Sequence, residues 1–179
     1  DVFPSTLAEQ GRREIIDVLD EQNYDYVILG EEDTEYGVVE TYQDAKKCAE
    51  LFKNNKDVID GVLVILPNFG DEKGIANTLR IADLKVPVLV HASSDELGKM
   101  GRTYRRDAFC GKISICSVLR QYGIPFSLTD NHTTEITSDE FKREIAKFDK
   151  ICKVVTSLKN ARFGQIGTRP NAFETVRYS

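Results

Sequence analysis

Short apolar runs rich in β-branched residues recur along this chain with helical patterns between them, and that alternation limits the fold more than any other feature. Tyr24 to Gly30, Asp60 to Leu66 and Val86 to His91 place apolar residues at successive positions, as strands covered on both faces of a parallel sheet do. Between and after them the apolar spacing becomes i, i+3, i+4, i+7. It is carried by Ala45, Cys48, Ala49 and Phe52, by Ile75, Thr78, Leu79 and Ala82, and by Ile115, Val118, Leu119 and Tyr122. A longer segment repeats it with Phe141, Ile145, Phe148, Cys152 and Val155. Each such stripe lets a helix bury one side against a sheet. Further strands are predicted at Ile124 to Leu128 and Arg162 to Ile166. Strand alternating with helix over the whole length predicts an α/β fold, an open parallel sheet with helices on both faces in the flavodoxin-like or Rossmann-like three-layer manner.

The front of the chain departs from this pattern. Asp1-Val2-Phe3-Pro4 leads straight into a helix that Ser5 or Thr6 is expected to cap, with Ala8, Gly11, Ile15, Val18 and Leu19 on its inner face. A strand normally precedes the first helix of such a fold, so the chain reads as starting one strand late. Residues 162–179 read as strand, turn and the start of another helix. The expectation is a piece of a longer polypeptide: an amino-terminal α/β domain over residues 1–161 and the truncated start of the next over 162–179. At 179 residues the chain has the length of one domain with a single core.

Composition excludes several function classes. Hydrophobic residues at 41% and charged residues at 30% describe a globular protein and not a disordered one. Twenty-four Lys and Arg against 29 Asp and Glu leave a net charge of -5, a field that repels nucleic acid and anionic membrane. Neither is expected as a partner. No apolar run reaches the roughly 18 residues of a membrane span and no signal peptide opens the chain, so the expected address is cytoplasmic. Cys48, Cys110, Cys116 and Cys152 lack C-x-x-C spacing and read as reduced thiols.

Ligands of open parallel sheets bind beyond the carboxyl ends of the strands, which directs attention to the segments that follow them. Pro67-Asn68-Phe69-Gly70 offers an amide with donor and acceptor beside an aromatic ring. Phe69 either stacks on a ring or sugar face or folds back into the core. His91 closes the next strand and reads as a core residue, with no second ligand spaced to complete a metal site, while His132 reads as solvated. The long loop from Ala92 to Arg106 ends in Arg105-Arg106-Asp107-Ala108-Phe109-Cys110-Gly111-Lys112, a concentration of charge at a helix entrance, where unpaired backbone N–H groups attract anions and hydroxyls. Positive charge there favours an anionic or polyhydroxylated small molecule. The competing reading pairs the arginines with Asp95, Glu96 or a neighbouring subunit and makes Asp107 a helix cap. No G-x-G-x-x-G follows the early strands, Gly111-Lys112 is no P-loop, and G-x-S-x-G and H-E-x-x-H are missing. No complete catalytic or metal-binding set is written in the chain.

From Asp107 to Phe126 the run DAFCGKISICSVLRQYGIPF resembles the L-fucose isomerase and L-arabinose isomerase superfamily, chiefly its fucose isomerase-like branch. Val2-Phe3-Pro4 running into Leu7 to Arg12, Ile166 to Pro170, and Phe173 to Ser179 carry the same likeness. The resemblance implies the amino-terminal domain of an aldose-ketose isomerase that moves protons between C1 and C2 of a sugar with a divalent metal, manganese (Mn2+), held by later domains. It implies a fragment inactive alone and a homo-oligomer, trimer or hexamer, in which this domain lends loops to a neighbour's sugar site. By position those loops contain Asn68 and Phe69, and Arg106, Asp107 and Lys112. The alternative is a non-catalytic sugar-binding or regulatory domain of the same architecture.

Overall fold

The computed structural model describes residues 3–176 and places a three-stranded parallel sheet, in the order β1-β2-β3, at its centre. The elements run α1 (Ser5–Glu21), α2 (Tyr42–Asn54), β1 (Val62–Leu66), α3 (Glu72–Ala82), β2 (Val88–Ala92), α4 (Ala108–Gln121), β3 (Ser127–Leu128) and α5 (Asp139–Lys159). Val62 pairs with Val88 and Leu66 with Ala92, while Leu89 and Val90 pair with Ser127 and Leu128.

Side chains of successive strand residues leave on opposite faces, and both faces here are covered. Val62, Val64, Leu66, Val88, Val90 and Ala92 pack against Ala76 of α3 and Ala108, Ile115 and Leu119 of α4. On the other face Leu63 and Ile65 meet Ile15, Val18 and Leu19 of α1 and Phe141 and Ile145 of α5. Leu89 meets Phe148 and Cys152 further along α5. α2 lies against α3 and sends Phe52 toward the first of these clusters. This is the three-layer α/β fold expected, and the buried positions of α1, α2 and α5, Glu144 apart, fall on the stripes read from the spacing.

Several expectations fail. Tyr24–Gly30 and residues 162–166 form no strand: the former is irregular chain outside the ladder, and the latter is exposed irregular chain. An apolar run becomes a strand only where a neighbour accepts its hydrogen bonds, and among the described residues neither run has one. The strand predicted from Ile124 contracts to Ser127–Leu128. Neither Ser5 nor Thr6 caps α1. Pro4 is the N-cap residue, its carbonyl oxygen accepting from Leu7 N at 3.2 Å, with no side-chain cap. The helix at the chain's far end is a single turn of 3-10 helix, Glu174–Val176, and the rest of that reading falls outside the described residues.

α2 starts from a full capping box. Thr41 Oγ1 accepts from Asp44 N at 3.2 Å while the Asp44 carboxylate accepts from Thr41 N at 2.8 Å. Thr41→Ala removes one half of the box and is expected to cost about 1 kcal/mol. Urea unfolding checks this, and an unchanged midpoint would deny the cap any role in stability.

Candidate functional site

The loops after β1, β2 and β3 meet at the carboxyl edge of the sheet, and buried side chains hold them there. Arg106 is only 5% exposed. Its Nη1 donates to Pro67 O at 2.9 Å and its Nη2 lies 3.9 Å from Glu96 Oε1. The approach to α4 is fixed by Asp95, whose Oδ1 accepts from Arg106 N at 2.8 Å and from Asp107 N at 3.2 Å. The long loop therefore ends in a clamp, and a short 3-10 turn, Leu97–Lys99, interrupts it. Lys112, 4% exposed, sends Nζ to Thr129 Oγ1 at 2.8 Å and His132 O at 2.9 Å, which ties α4 to the loop after β3. Burial lowers its pKa, as expected for an ammonium withdrawn from water.

Asp107 does not cap α4, contrary to expectation. It occupies the N-cap position in the left-handed conformation, φ 53°, with no cap hydrogen bond from its side chain. Asp tolerates that region better than most residues. Asp95 binds its backbone N–H, and its carboxylate lies 3.9 Å from Arg105 Nη2. The same carboxylate, beside the exposed Cys110 thiol, raises the thiol pKa. A protonated thiol is a poor nucleophile.

The loop after β1 presents a stack of planar groups. Phe69 lies on Phe3 with ring centroids 5.2 Å apart and planes 9° from parallel. The Arg105 guanidinium sits over the other ring, 5.5 Å from the Phe3 centroid. Phe69 thus neither enters the core nor stands alone in solvent; it is half-buried against another rim aromatic. Asn68 holds this arrangement in place, donating through Nδ2 to Pro4 O at 3.3 Å and accepting at Oδ1 from Gly70 N at 3.3 Å. Gly111 permits the loop to approach α4, because a Cβ there would lie 1.8 Å from Phe69 O.

The structure gathers Asn68, Phe69, Arg106 and Asp107 along one stretch of the rim. Lys112 leaves the same turn toward the loop after β3. The donors of Asn68, Arg106 and Lys112 that the structure accounts for end on the protein itself, whereas Phe69, Asp107 and Arg105 keep solvent-facing surface. Lys99, 2.7 Å from Glu96 Oε2, and Arg106 share that carboxylate, so the positive charge read from the sequence is partly neutralised on site. Phe3 joins the rim without having been singled out; Arg105 and Asp95, named in the sequence as charge partners, join it too, Asp95 as an acceptor of backbone N–H bonds. The Ser-Ser-Asp sequence directly after a strand was the available signal for Asp95, since Asp in turns commonly accepts backbone N–H bonds.

His91 belongs to the core beneath the rim. It is fully buried, with Nε2 2.8 Å from Thr134 O and its ring 4.2 Å from that of Phe141. Nδ1 has no hydrogen-bond partner among the described residues. Burial pushes its pKa down to about 4. His132 is exposed as expected, its ring stacked 5.1 Å from Phe109. Among the described residues no three His, Cys, Asp or Glu side chains gather to hold a metal, so these residues do not fit a manganese site. Nor is any helix of the described residues long and apolar enough to cross a membrane. A hollow of about 540 Å³ opens at the opposite, amino end of the strands among Leu79, Leu84, Tyr122, Ile124 and Val155. Asp83 and Lys85 at its border pair with each other at 2.6 Å.

These features define an open parallel α/β domain whose strand-end loops form a clamped rim with an aromatic and charged surface. The chain belongs to the family of fucose/sulfoquinovose isomerase N-terminal domains, which matches residues 1–159. No curated protein and no solved structure matches it.

Proposed function

We propose that this chain is the sugar-recognition and assembly domain of an aldose-ketose isomerase, acting on an aldose of the fucose or sulfoquinovose type. The family match over residues 1–159 carries the reading. On it, Phe69, Asp107 and Arg105 face the sugar. The ring offers a flat apolar surface, and the carboxylate and guanidinium offer an acceptor and donors for hydroxyls or an anionic substituent. Asn68, Arg106 and Lys112 act as positioning residues that hold the loops bearing those groups.

Proton transfer between C1 and C2, and the manganese that the resemblance implies, belong to other parts of the parent polypeptide, and residues 162–179 lead toward them. Isolated, this domain is inactive. The assembly role is supported by the exposed apolar side chains Leu97, Met100, Tyr104, Phe109 and Ile113, which flank the rim and suit contact with a second copy in a trimer or hexamer.

The test is conversion of L-fucose, sulfoquinovose and a panel of other aldoses to ketoses by the full-length parent with manganese supplied. An enzyme that converts none of them ends the isomerase reading. In the active parent, Phe69→Ala is expected to raise KM about tenfold, the loss of roughly 1.4 kcal/mol of stacking and packing, with kcat little changed. Wild-type KM in a folded variant removes Phe69 from the sugar site. Sedimentation that finds only monomers removes the assembly role.

A further inference from the structure

The hollow at the amino end of the strands is written into the sequence by two prolines. Leu89 pairs with Ser127 and Val90 with Leu128, so two places earlier Pro87 comes opposite Pro125. Neither has an N–H to give, and the ladder between β2 and β3 cannot continue past them. Pro87 stays with β1, its carbonyl oxygen accepting from Val62 N at 2.9 Å. The segment leading into β3 turns to α4 instead, Ile124 N donating to Leu119 O at 2.9 Å. Between the two a space of about 540 Å³ opens, within the range of ligand pockets, roughly 300 to 1,000 Å³.

Its walls combine flat and apolar groups. The segment between α4 and β3 contributes Tyr122, Pro125 and Phe126, while α3, the loop after it and α5 contribute Leu79, Leu84 and Val155. That loop passes twice through the left-handed region, at Asp83 (φ 50°) and Lys85 (φ 57°). The conformation is uncommon for a side chain as long as lysine. An ion pair to Asp83 at 2.6 Å and a bond from Lys159 Nζ to Lys85 O accompany it.

The lip of the hollow is positive. Helices α3, α4 and α5 end on this side of the sheet, and each end carries about half a negative charge, which a cation in the last turn offsets. Those turns hold Arg80, Arg120 and Lys159, full charges that leave a surplus of about +1.5 over the helix ends. Asp83 and Lys85 cancel each other. Arg80, which lines the hollow, donates to the neutral Asn77 Oδ1 at 3.1 Å, and Lys159 to a carbonyl oxygen. An apolar hollow with a cationic lip, on a chain of net charge -5, suits an anion with a flat apolar body.

We propose that this hollow binds an aromatic carboxylate, its ring against Tyr122 and Phe126 and its carboxylate toward Arg80. The site lies at the opposite end of the strands from the rim and does not depend on the isomerase reading.

The test is fluorescence anisotropy of 2-naphthoate titrated with the full-length parent. Saturable binding is expected with a Kd of about 1 mM or tighter, as for a ligand of about a dozen non-hydrogen atoms. Arg80→Gln is expected to weaken it about fivefold, as is replacing the probe by 2-naphthamide, which keeps the ring and loses the charge. Val155→Phe fills the hollow and should abolish binding. Tyr122 is 47% exposed, so Tyr122→Ala tests the same wall without disturbing the core and should cost about tenfold in affinity. No saturable binding up to about 10 mM, ten times the expected Kd, overturns the proposal. So does equal affinity for naphthoate and naphthamide, which would remove the anion from the ligand class. Wild-type affinity in folded Val155→Phe and Tyr122→Ala proteins would put the probe elsewhere on the molecule and overturns it equally.

Discussion

Replacing Gly111 by alanine is expected to destabilise the domain by about 2 to 3 kcal/mol, a fall in melting temperature of roughly 5–10 °C for a domain of this size. The added methyl would stand 1.8 Å from Phe69 O, 2.7 Å from its carbonyl carbon and 2.9 Å from its Cα. These are backbone atoms, so no rotamer change relieves the clash; either the loop after β1 or the first turn of α4 must move. The loop is tied to Arg106 through Pro67 O and to Pro4 through Asn68, and moving it strains both links. Alanine's better helix propensity returns about 1 kcal/mol, which the steric cost exceeds. Gly98→Ala is the control, because a methyl there meets nothing within 4 Å. It should shift stability by less than about 0.5 kcal/mol. Thermal melts of both variants decide the matter, and a Gly111→Ala protein that melts at or above the wild-type temperature contradicts the Phe69–Gly111 contact.

That contact also shows what the sequence could and could not reveal. Strands β1 and β2 and the stripes of α1, α2 and α5 were legible because burial fixes side-chain type, and side-chain type is what a sequence records. Tyr24–Gly30 carries the same composition, yet a strand also needs a neighbour, and neighbours far along the chain leave no local mark. The rim was located correctly at the carboxyl edge of the sheet by topology. The duties of its cations were legible only in part: one of the two readings paired the arginines with Asp95 or Glu96, and Arg106 Nη2 lies 3.9 Å from Glu96 Oε1. Arg106 and Lys112 read as ligand groups because they are charges at a helix entrance, but their partners are Pro67 O and His132 O, and every residue carries a carbonyl. Asp107 read as a cap for a similar reason. Its left-handed backbone is set by the two N–H bonds to Asp95, a residue twelve positions earlier. What the rim binds is a separate question, and its answer rests on the family to which residues 1–159 belong.

Between pH 7 and pH 4.5 the protein is expected to lose roughly 2 to 3 kcal/mol of stability through His91 alone. An unfolded histidine titrates near 6.5, whereas burial holds His91 down to about 4 in the folded state. The unfolded chain therefore takes up a proton throughout this window while the folded protein largely refuses it. Protonation favours unfolding from about pH 6.5 downward, and the loss levels off once pH falls below about 4. Geometry explains why the folded state resists the charge. The ring is sealed under Phe141, Nε2 lies 2.8 Å from Thr134 O, and Nδ1 has no acceptor among the described residues to receive a second proton. The Lys112 ammonium opposes a further cation nearby. His91→Gln keeps an N–H donor for Thr134 and cannot titrate in this range. Its stability is expected to be lower than wild type at pH 7, from lost packing against Phe141, and to decline less on acidification. The carboxylates of the domain titrate in both proteins, so the difference between the two pH profiles isolates the imidazole. Urea unfolding of wild type and His91→Gln at half-unit steps gives those profiles, and parallel curves from pH 7 to 4.5 would mean that the folded core accepts the proton as readily as the unfolded chain.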